Sequence, residues 1–399
     1  MALDLMKERG IPLERQQLNW VDMVRTPVSK LNDDAFTRVR IILQNGIEME
    51  SMLFSHAFAR HNADLRRELA TVRRVEKHQQ SLINLLLPAD MSTLETTIQY
   101  EQVAVEVTAT VALHEPDPYM KQVYDYGLLE DFDHLYRYSA LLDRLEGKDP
   151  NSVLQSYTDL MPGRPTVEEH RHPVDDVVNH WDRTKAAPLT RLHTLIIMAA
   201  EQQTGNFYAN VQNVYSDPVA RQLYAEISSI EEQHVTQYES MMDPSQTWLE
   251  RWLMHEAMEV YTYFSCMQQE SNPRIKKIWE QMTDYELGHL HFVREIFERV
   301  EKRDASELLP ATLPEALKFE SHRDYVRQVL RDQVDLRRDG PNFVHKDQLS
   351  AQSPSHAYRD MVNAKGSPSE IVSAGYRWIP GTELLARARD LRGQETRVH

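Results

Sequence analysis

The chain has 399 residues, 41% of them apolar and 27% charged, with only 12 glycines, which describes a soluble, strongly helical chain long enough for two to three domains. Forty-five Lys and Arg against 61 Asp and Glu leave a formal charge of −16, a balance that repels nucleic acid and anionic membranes and draws cations. A single cysteine, Cys266, excludes a disulfide framework, a zinc ribbon and an iron centre held by four thiolates. The first ten residues lack the apolar core of a secretory signal, and no run approaches the roughly 18 apolar residues of a membrane span. The expected location is cytoplasmic.

Taken in chain order, residues 1–32 are an N-terminal segment without clear periodicity. Apolar residues then recur at three- and four-residue steps, the pattern of amphipathic helices, over 33–60, 64–87, 92–114 and 118–146. Residues 148–188, broken by prolines and polar residues, are the expected linker, and four more helices are expected over 190–215, 218–241, 247–270 and 273–302. Ser92-x-x-Glu95 and Thr247-x-x-Glu250 have the form of capping boxes. Asp117-Pro118, Asp217-Pro218 and Asn272-Pro273 set an acceptor before a proline at the first helical position. Helices near 25 residues are rods of about 37 Å, and four of them make a bundle. The expectation is therefore an all-α fold of two tandem four-helix bundles, 33–147 and 189–303. Beyond them, a 304–399 extension carries prolines (Pro310, Pro314, Pro341, Pro354, Pro368, Pro380), one helix near 323–338 and an irregular arm. The arm's aromatics, Phe343, Tyr358, Tyr376 and Trp378, point to docking on a repeat partner or a second subunit, hence to a homo-oligomer.

The eight helices form four related hairpins. Residues 101–138 lie on 201–238 without a gap: Glu101, Gln102, Asp117, Pro118, Gln122, Tyr124, His134 and Tyr138 fall on Glu201, Gln202, Asp217, Pro218, Gln222, Tyr224, His234 and Tyr238. A third copy lies 55 residues further on, where Glu256, Tyr263, Asn272, Pro273, Glu286 and His289 fall on Glu201, Tyr208, Asp217, Pro218, Glu231 and His234. A worn fourth copy lies 55 residues before the first; it keeps Asn62 and Glu76 but has Gly46 and Gln79 where the others have Glu and His.

The shared positions are the turn and the titratable groups. Over 189–303 they supply Glu201, Glu231-x-x-His234, Glu256 and Glu286-x-x-His289, one carboxylate or Glu/His pair per helix. Residues three apart share a helix face, and two carboxylate helices with two Glu-x-x-His helices are the inventory of a dinuclear carboxylate site. Glu-x-x-His also occurs on exposed helices; here each member lies mid-stripe on an apolar face, among residues such as Ile197, Ile227, Leu253 and Met282. Four carboxylates buried together need protons, basic partners or metal. Two divalent cations balance them, and mixed oxygen and nitrogen ligation suits iron, manganese or a mixed iron/manganese pair better than zinc. The first four helices retain Glu76, Glu101, Asp131 and His134, with Glu50 within possible reach, and are expected to have a structural role.

On these residues the chain resembles the ferritin-like superfamily, in particular its rubrerythrin-like di-iron branch, directly over 189–302 and as a degenerate copy over 33–147. The resemblance implies that Glu231 and Glu286 bridge the metals, that Glu201 and His234 complete one ion, and that Glu256 and His289 complete the other. Glu259, one turn beyond Glu256, is similar to an additional rubrerythrin glutamate. The implied function is an oxidoreductase reacting with O2 or H2O2, fed by an external electron donor because a one-cysteine chain holds no rubredoxin module. A ferroxidase or storage protein, or a helical scaffold with a vestigial site, are the alternatives. The sequence departs from the family at one connection: ferritin-like bundles join their second and third helices by a long crossover, whereas 22 residues separate His234 from Glu256. His170, His172 and His180 are expected to face water, His255 and His291 to point off the metal face, and Lys302-Arg303 and Arg331–Arg338 to lie on solvated helix faces.

Overall fold

A computed structural model describes residues 3–163 and 168–374. Among them the fold is all-helical apart from one small two-stranded sheet. Eight long helices carry it: α1 (Ala35–His61), α2 (Arg66–Asn84), α3 (Thr93–His114), α4 (Pro118–Glu146), α5 (Pro188–Val211), α6 (Pro218–Ser240), α7 (Trp248–Gln269) and α8 (Pro273–Glu301). They begin where side chains take up first-turn amides. Asp117 accepts from Tyr119 at 2.8 Å, Asp217 from Ala220 at 2.9 Å and Asn272 from Arg274 at 3.0 Å, each ahead of its proline. Ser92 with Glu95 and Thr247 with Glu250 close reciprocal capping boxes. Among the described residues no helix is long and apolar enough to cross a membrane.

Consecutive helices pack as four hairpins, but the hairpins do not associate in chain order. The α3–α4 hairpin packs on α5–α6, with α3 against α5 and α4 against α6, while α1–α2 packs on α7–α8 through α1 and α7. The expected grouping of 33–147 apart from 189–303 is thereby corrected to an inner quartet, α3 to α6, and an outer quartet, α1, α2, α7 and α8. Helical periodicity marks which face is buried, not which hairpin covers it, and four related hairpins offer alternative partners. The first helices of the hairpins meet in the middle: α1 touches α3, α5 and α7, so an apolar cluster spans both quartets, beside a second one within the inner quartet. At the α1–α5 contact Asn45 donates to Gln203 Oε1 at 2.6 Å, and Gln203 occupies the space beside Gly46, where a Cβ would come within 2.8 Å of its amide.

The segments outside the quartets are packed onto them. The N-terminal segment crosses α8, with the Ile11 amide on the Asp284 carbonyl at 2.7 Å. The linker lies along α4 and α6, where Gly163 donates to Asp133 at 3.1 Å and the Arg171 amide to Gln233 at 2.9 Å. Beyond Glu301, α9 (Arg323–Gln333) stops short of the expected 338, and β1 (Leu336–Asp339) pairs antiparallel with β2 (Asn342–His345) around Gly340 at φ +57° and Pro341. Glycine followed by proline favours a turn over helix continuation. Arg337 and Arg338 are therefore buried strand residues rather than members of a solvated helix face; Arg338 donates to Gln237 at 2.9 Å and sits 4.9 Å from the Phe343 ring centre. Arg303 likewise pairs with Glu250 at 2.5 Å. Phe343 docks against Tyr126, ring centres 5.2 Å apart, and two short helices, α10 (Pro354–Val362) and α11 (Pro368–Ser373), follow, α11 lying on α4 and α6. Tyr376, Trp378 and Pro380 lie outside the described residues.

Candidate metal centres

Each quartet encloses a group of acidic and imidazole side chains. In the inner one, Glu101 comes from α3, Asp131 and His134 from α4, Glu201 from α5, and Glu231 and His234 from α6, all buried. The three-residue step places Asp131 with His134, and Glu231 with His234, on the inward face of their helices. Ligand atoms gather in two triplets, Glu101/His134/Glu231 and Asp131/Glu201/His234, each within 4.8 Å. Glu231 lies between the imidazoles: Oε1 is 3.0 Å from His134 Nδ1, and Oε2 is 3.2 Å from His234 Nδ1. His234 Nδ1 also lies 3.5 Å from Glu201 and 3.9 Å from Asp131.

The far nitrogens face carboxylates. His234 Nε2 meets Glu130 Oε2 at 2.8 Å, and His134 Nε2 is 3.5 Å from Glu169 Oε2. Glu130 is itself ion-paired with Arg171, whose Nε donates to Asp176 at 3.1 Å. A carboxylate on the remote nitrogen fixes the ring and leaves Nδ1 to coordinate. Residues 148–188, expected to separate two domains, therefore build one wall of this centre instead. Burial pushes Glu101 up to about 8 and Glu201 up to about 7, and raises Asp131 well above its ordinary value. Burial also opposes ionisation of Glu231, yet the His134 and His234 imidazoles outweigh it and hold this carboxyl below its usual range. For the two histidines burial disfavours charge, but Glu231 beside His134 and Glu201 beside His234 raise both.

The outer centre is built from Glu76 on α2, Glu256 and Glu259 on α7, and His289 on α8, with ligand atoms within 4.8 Å. Glu286 Oε2 lies 3.0 Å from His289 Nδ1. Gln79, standing where the inner quartet has a histidine, donates to Glu286 and, at 3.4 Å, to Glu48 of α1. Glu48 also accepts from the Tyr263 hydroxyl at 2.5 Å, and Glu256 from Trp252 Nε1 at 2.7 Å. Here the remote nitrogen has a neutral partner: His289 Nε2 meets Gln16 Oε1 at 2.6 Å, while the Gln16 amide donates to the carbonyls of Ile11 and Tyr285. Gly288 admits this strap, since a Cβ there would stand 1.9 Å from the Ile11 carbonyl oxygen. Burial first, then neighbouring carboxylates, raises Glu48, Glu76 and Glu259 well above the usual range, and Glu256 likewise; Glu286 rises to about 7, and burial lowers His289.

Both donor sets fit divalent cations. Asp131 keeps both carboxylate oxygens without a hydrogen-bond partner, as Glu101, Glu76 and Glu256 keep one each, all buried. Buried acceptors left this way are costly unless something positive lies among them.

The six residues expected at one centre are thus divided. Glu201, Glu231 and His234 join Glu101, Asp131 and His134 in the inner quartet, while Glu256, Glu286, His289 and the additional Glu259 join Glu76 in the outer one. Hairpin association, which periodicity does not encode, is the reason. Glu50 stands apart, 4.0 Å from His255 Nε2. His172 and His180 are exposed as expected, but His170 is buried, 3.1 Å from Glu226. His255 stacks on Phe54 and His291 meets the Glu8 carbonyl, both away from the clusters. The residues that sequence reasoning missed are the partners of the imidazoles: Glu130, Glu169, Arg171 and Gln16. Glu130 could have been noticed as a second acid beside Asp131 on an apolar helix; Gln16 carries no local signal. No protein-family model, curated protein or solved structure matches the chain.

Proposed function

We propose that this chain is a ferritin-like di-iron carboxylate protein, an oxidoreductase that reduces O2 or H2O2, and that the inner quartet is its working centre. The observation that carries this reading is the convergence of four carboxylates and two imidazoles from four helices, with both Nδ1 atoms turned inward and both Nε2 atoms facing carboxylates. Glu101, His134 and Glu231 would hold one ion, and Asp131, Glu201 and His234 the other, with Glu231 lying between the two imidazoles. A pair of iron ions held there supplies electrons to an oxygen-based oxidant, with manganese or a mixed pair as the alternative metal. The chain's own contribution is positional. Arg171 holds Glu130, and Glu130 orients His234. The packed linker and the buried Tyr138, Tyr208 and Tyr224 exclude bulk water. The hairpin association also supports the ferritin-like reading, because residues 148–188 then form the long crossover between the second and third helices of the inner quartet.

Anaerobic loading with Fe(II), desalting and metal analysis test the reading, followed by measurement of peroxide consumption. Iron retained by the native chain and lost from the inner centre in Glu231→Ala, with peroxide consumption lost alongside, is the expected result. A folded protein that retains no transition metal ends the proposal.

A further inference from the structure

Outside both centres stand two side chains of ligand type that nothing described so far uses. Glu50 of α1 and His255 of α7 face each other, Oε1 and Nε2 4.0 Å apart. That is too long for a hydrogen bond, but it fits two donors on one divalent ion, whose bonds to imidazole nitrogen and carboxylate oxygen are each about 2.0–2.2 Å. His255 is 2% exposed, yet among the described residues neither ring nitrogen has a hydrogen-bond partner. Phe54 stacks on the face of the ring, where neither nitrogen points. No lysine or arginine pairs with Glu50 among the described residues; burial, and then the charge of Glu239 on α6, act on its carboxyl.

The 55-residue offset gives a comparison inside the chain. The α1–α7 contact of the outer quartet is repeated by α3 and α5 in the inner one, and there Val105 stands in the place of Glu50 and Ala200 in that of His255, both buried. Apolar side chains therefore fill this contact where nothing more is asked of it. A carboxyl and an imidazole buried without hydrogen bonds at the same level cost stability, and packing does not explain them. Their position supplies a reason. His255 stands one helical turn before Glu259 on the same face of α7, and Glu50 lies two residues after Glu48 on α1. Glu76, Glu256, Glu259, Glu286 and His289 are each at most 1% exposed, so an ion has to pass other side chains to reach them. The Glu50 side chain keeps 11% exposure.

We propose that Glu50 and His255 are a third cation site, the entry station of the outer centre: they take a hydrated divalent first-row ion from solvent, replace part of its water shell and pass it one turn along α7 to Glu259. The inference rests on the reading of the outer cluster as a metal centre. Two protein donors, with water in the remaining positions, collect an ion and still release it, as a transfer site must. The cluster beyond offers four carboxylates or more around His289, so the ion gains donors as it moves inward. Around the pair Glu239 adds negative charge, while Arg251, one turn before His255, is drawn toward Asp243 and Glu239. The inner quartet, with Val105 and Ala200 at the matching contact, has no such station.

The test follows Co(II) uptake by the metal-free full chain carrying Glu231→Ala, so that the outer centre alone fills, with visible absorption as the readout. Below saturation the entry rate follows occupancy of the station. Glu50→Gln, and His255→Phe, which keeps the stack on Phe54, should therefore fill the outer centre about tenfold more slowly and to the same final content. A short Zn(II) soak of native crystals, read by anomalous scattering, should place an ion between Glu50 and His255 that is absent in Glu50→Gln. Unchanged rates in the variants, a loss of final content instead of rate, or no zinc between the two side chains overturns the entry station and leaves the outer metal reading standing. If the outer centre fills in no chain, both fall, and the inner centre is judged separately by the iron that the native chain retains.

Discussion

The inner and outer centres are two outcomes of one repeated hairpin. Both place carboxylates and imidazole at matching helical levels, yet the inner set has two histidines backed by carboxylates, and the outer has one histidine backed by the amide of Gln16. The reason starts at Gly46. A glutamate there, as in the other three copies, would collide with Gln203 from α5, so α1 contributes Glu48 from two residues further on, and Gln79 binds Glu48 and Glu286 in place of a second imidazole. On the proposed reading the inner centre suits iron better, because imidazole backed by carboxylate is the stronger donor. On the same reading the outer centre, with the acids Glu48, Glu76, Glu256, Glu259 and Glu286 around one histidine, would suit a harder, oxygen-seeking cation. The contact that joins the quartets is thus what makes their centres unlike.

The sharpest way to break this comparison is to remove the one carboxylate that lies between both inner histidines. Glu231→Ala is expected to strip the inner centre and leave outer-centre metal in place, which anomalous scattering would localise; loss of metal from both would show that the centres are not independent. Next in size is an exchange of imidazole partners. Glu130→Gln is expected to weaken inner-centre metal affinity by about 10–100-fold, and Gln16→Glu to tighten the outer centre, as read by competition with a chelator. Equal affinities in native and exchanged chains would remove the remote nitrogens from the explanation.

The third expectation concerns protons. Glu101, raised from 4.5 to about 8, binds its proton more tightly in the folded chain, as do the raised carboxyls of the outer centre. The folded chain then holds more protons than the unfolded one above pH 4.5, so its stability falls as pH rises toward 8. His134 and His234, also raised, act in the same direction, since their contribution is complete below their unfolded value of 6.5 and is lost as pH passes the folded one; His289, His255, His291 and His56, all lowered by burial, oppose, against the larger set of raised carboxyls. Metal-free protein should therefore melt at a lower temperature at about pH 8 than at about pH 5, and metal-loaded protein should not, because bound cations replace the protons. Thermal unfolding across that range checks it. The smallest expected effect is Gly46→Ala, which crowds Gln203 and should cost about 1–3 kcal/mol in denaturant unfolding, with metal content unchanged.

Much of this molecule was legible from local pattern. Asp-Pro and Asn-Pro pairs and two capping boxes mark the starts of five of the eight helices, and the 55- and 100-residue offsets bring out Glu76, Glu101, Asp131, His134, Glu201, Glu231, His234, Glu256, Glu286 and His289 as equivalent positions. The strand pair at 336–345 was hidden because a short charged run ending in Asp-Gly-Pro differs little, residue by residue, from a fraying helix end.

What the sequence by itself determined is therefore the set of buried titratable side chains and the helix face on which each stands, since helical period and capping are local properties of the chain. Tertiary structure alone decided which hairpins share a core, and hence that Glu201, Glu231 and His234 meet Asp131 and His134 instead of Glu256 and His289. It also decided that Glu130, Glu169, Arg171 and Gln16 would back the imidazoles. Those choices depend on contacts between residues up to 273 positions apart, and such contacts leave no periodic trace in the segments that make them.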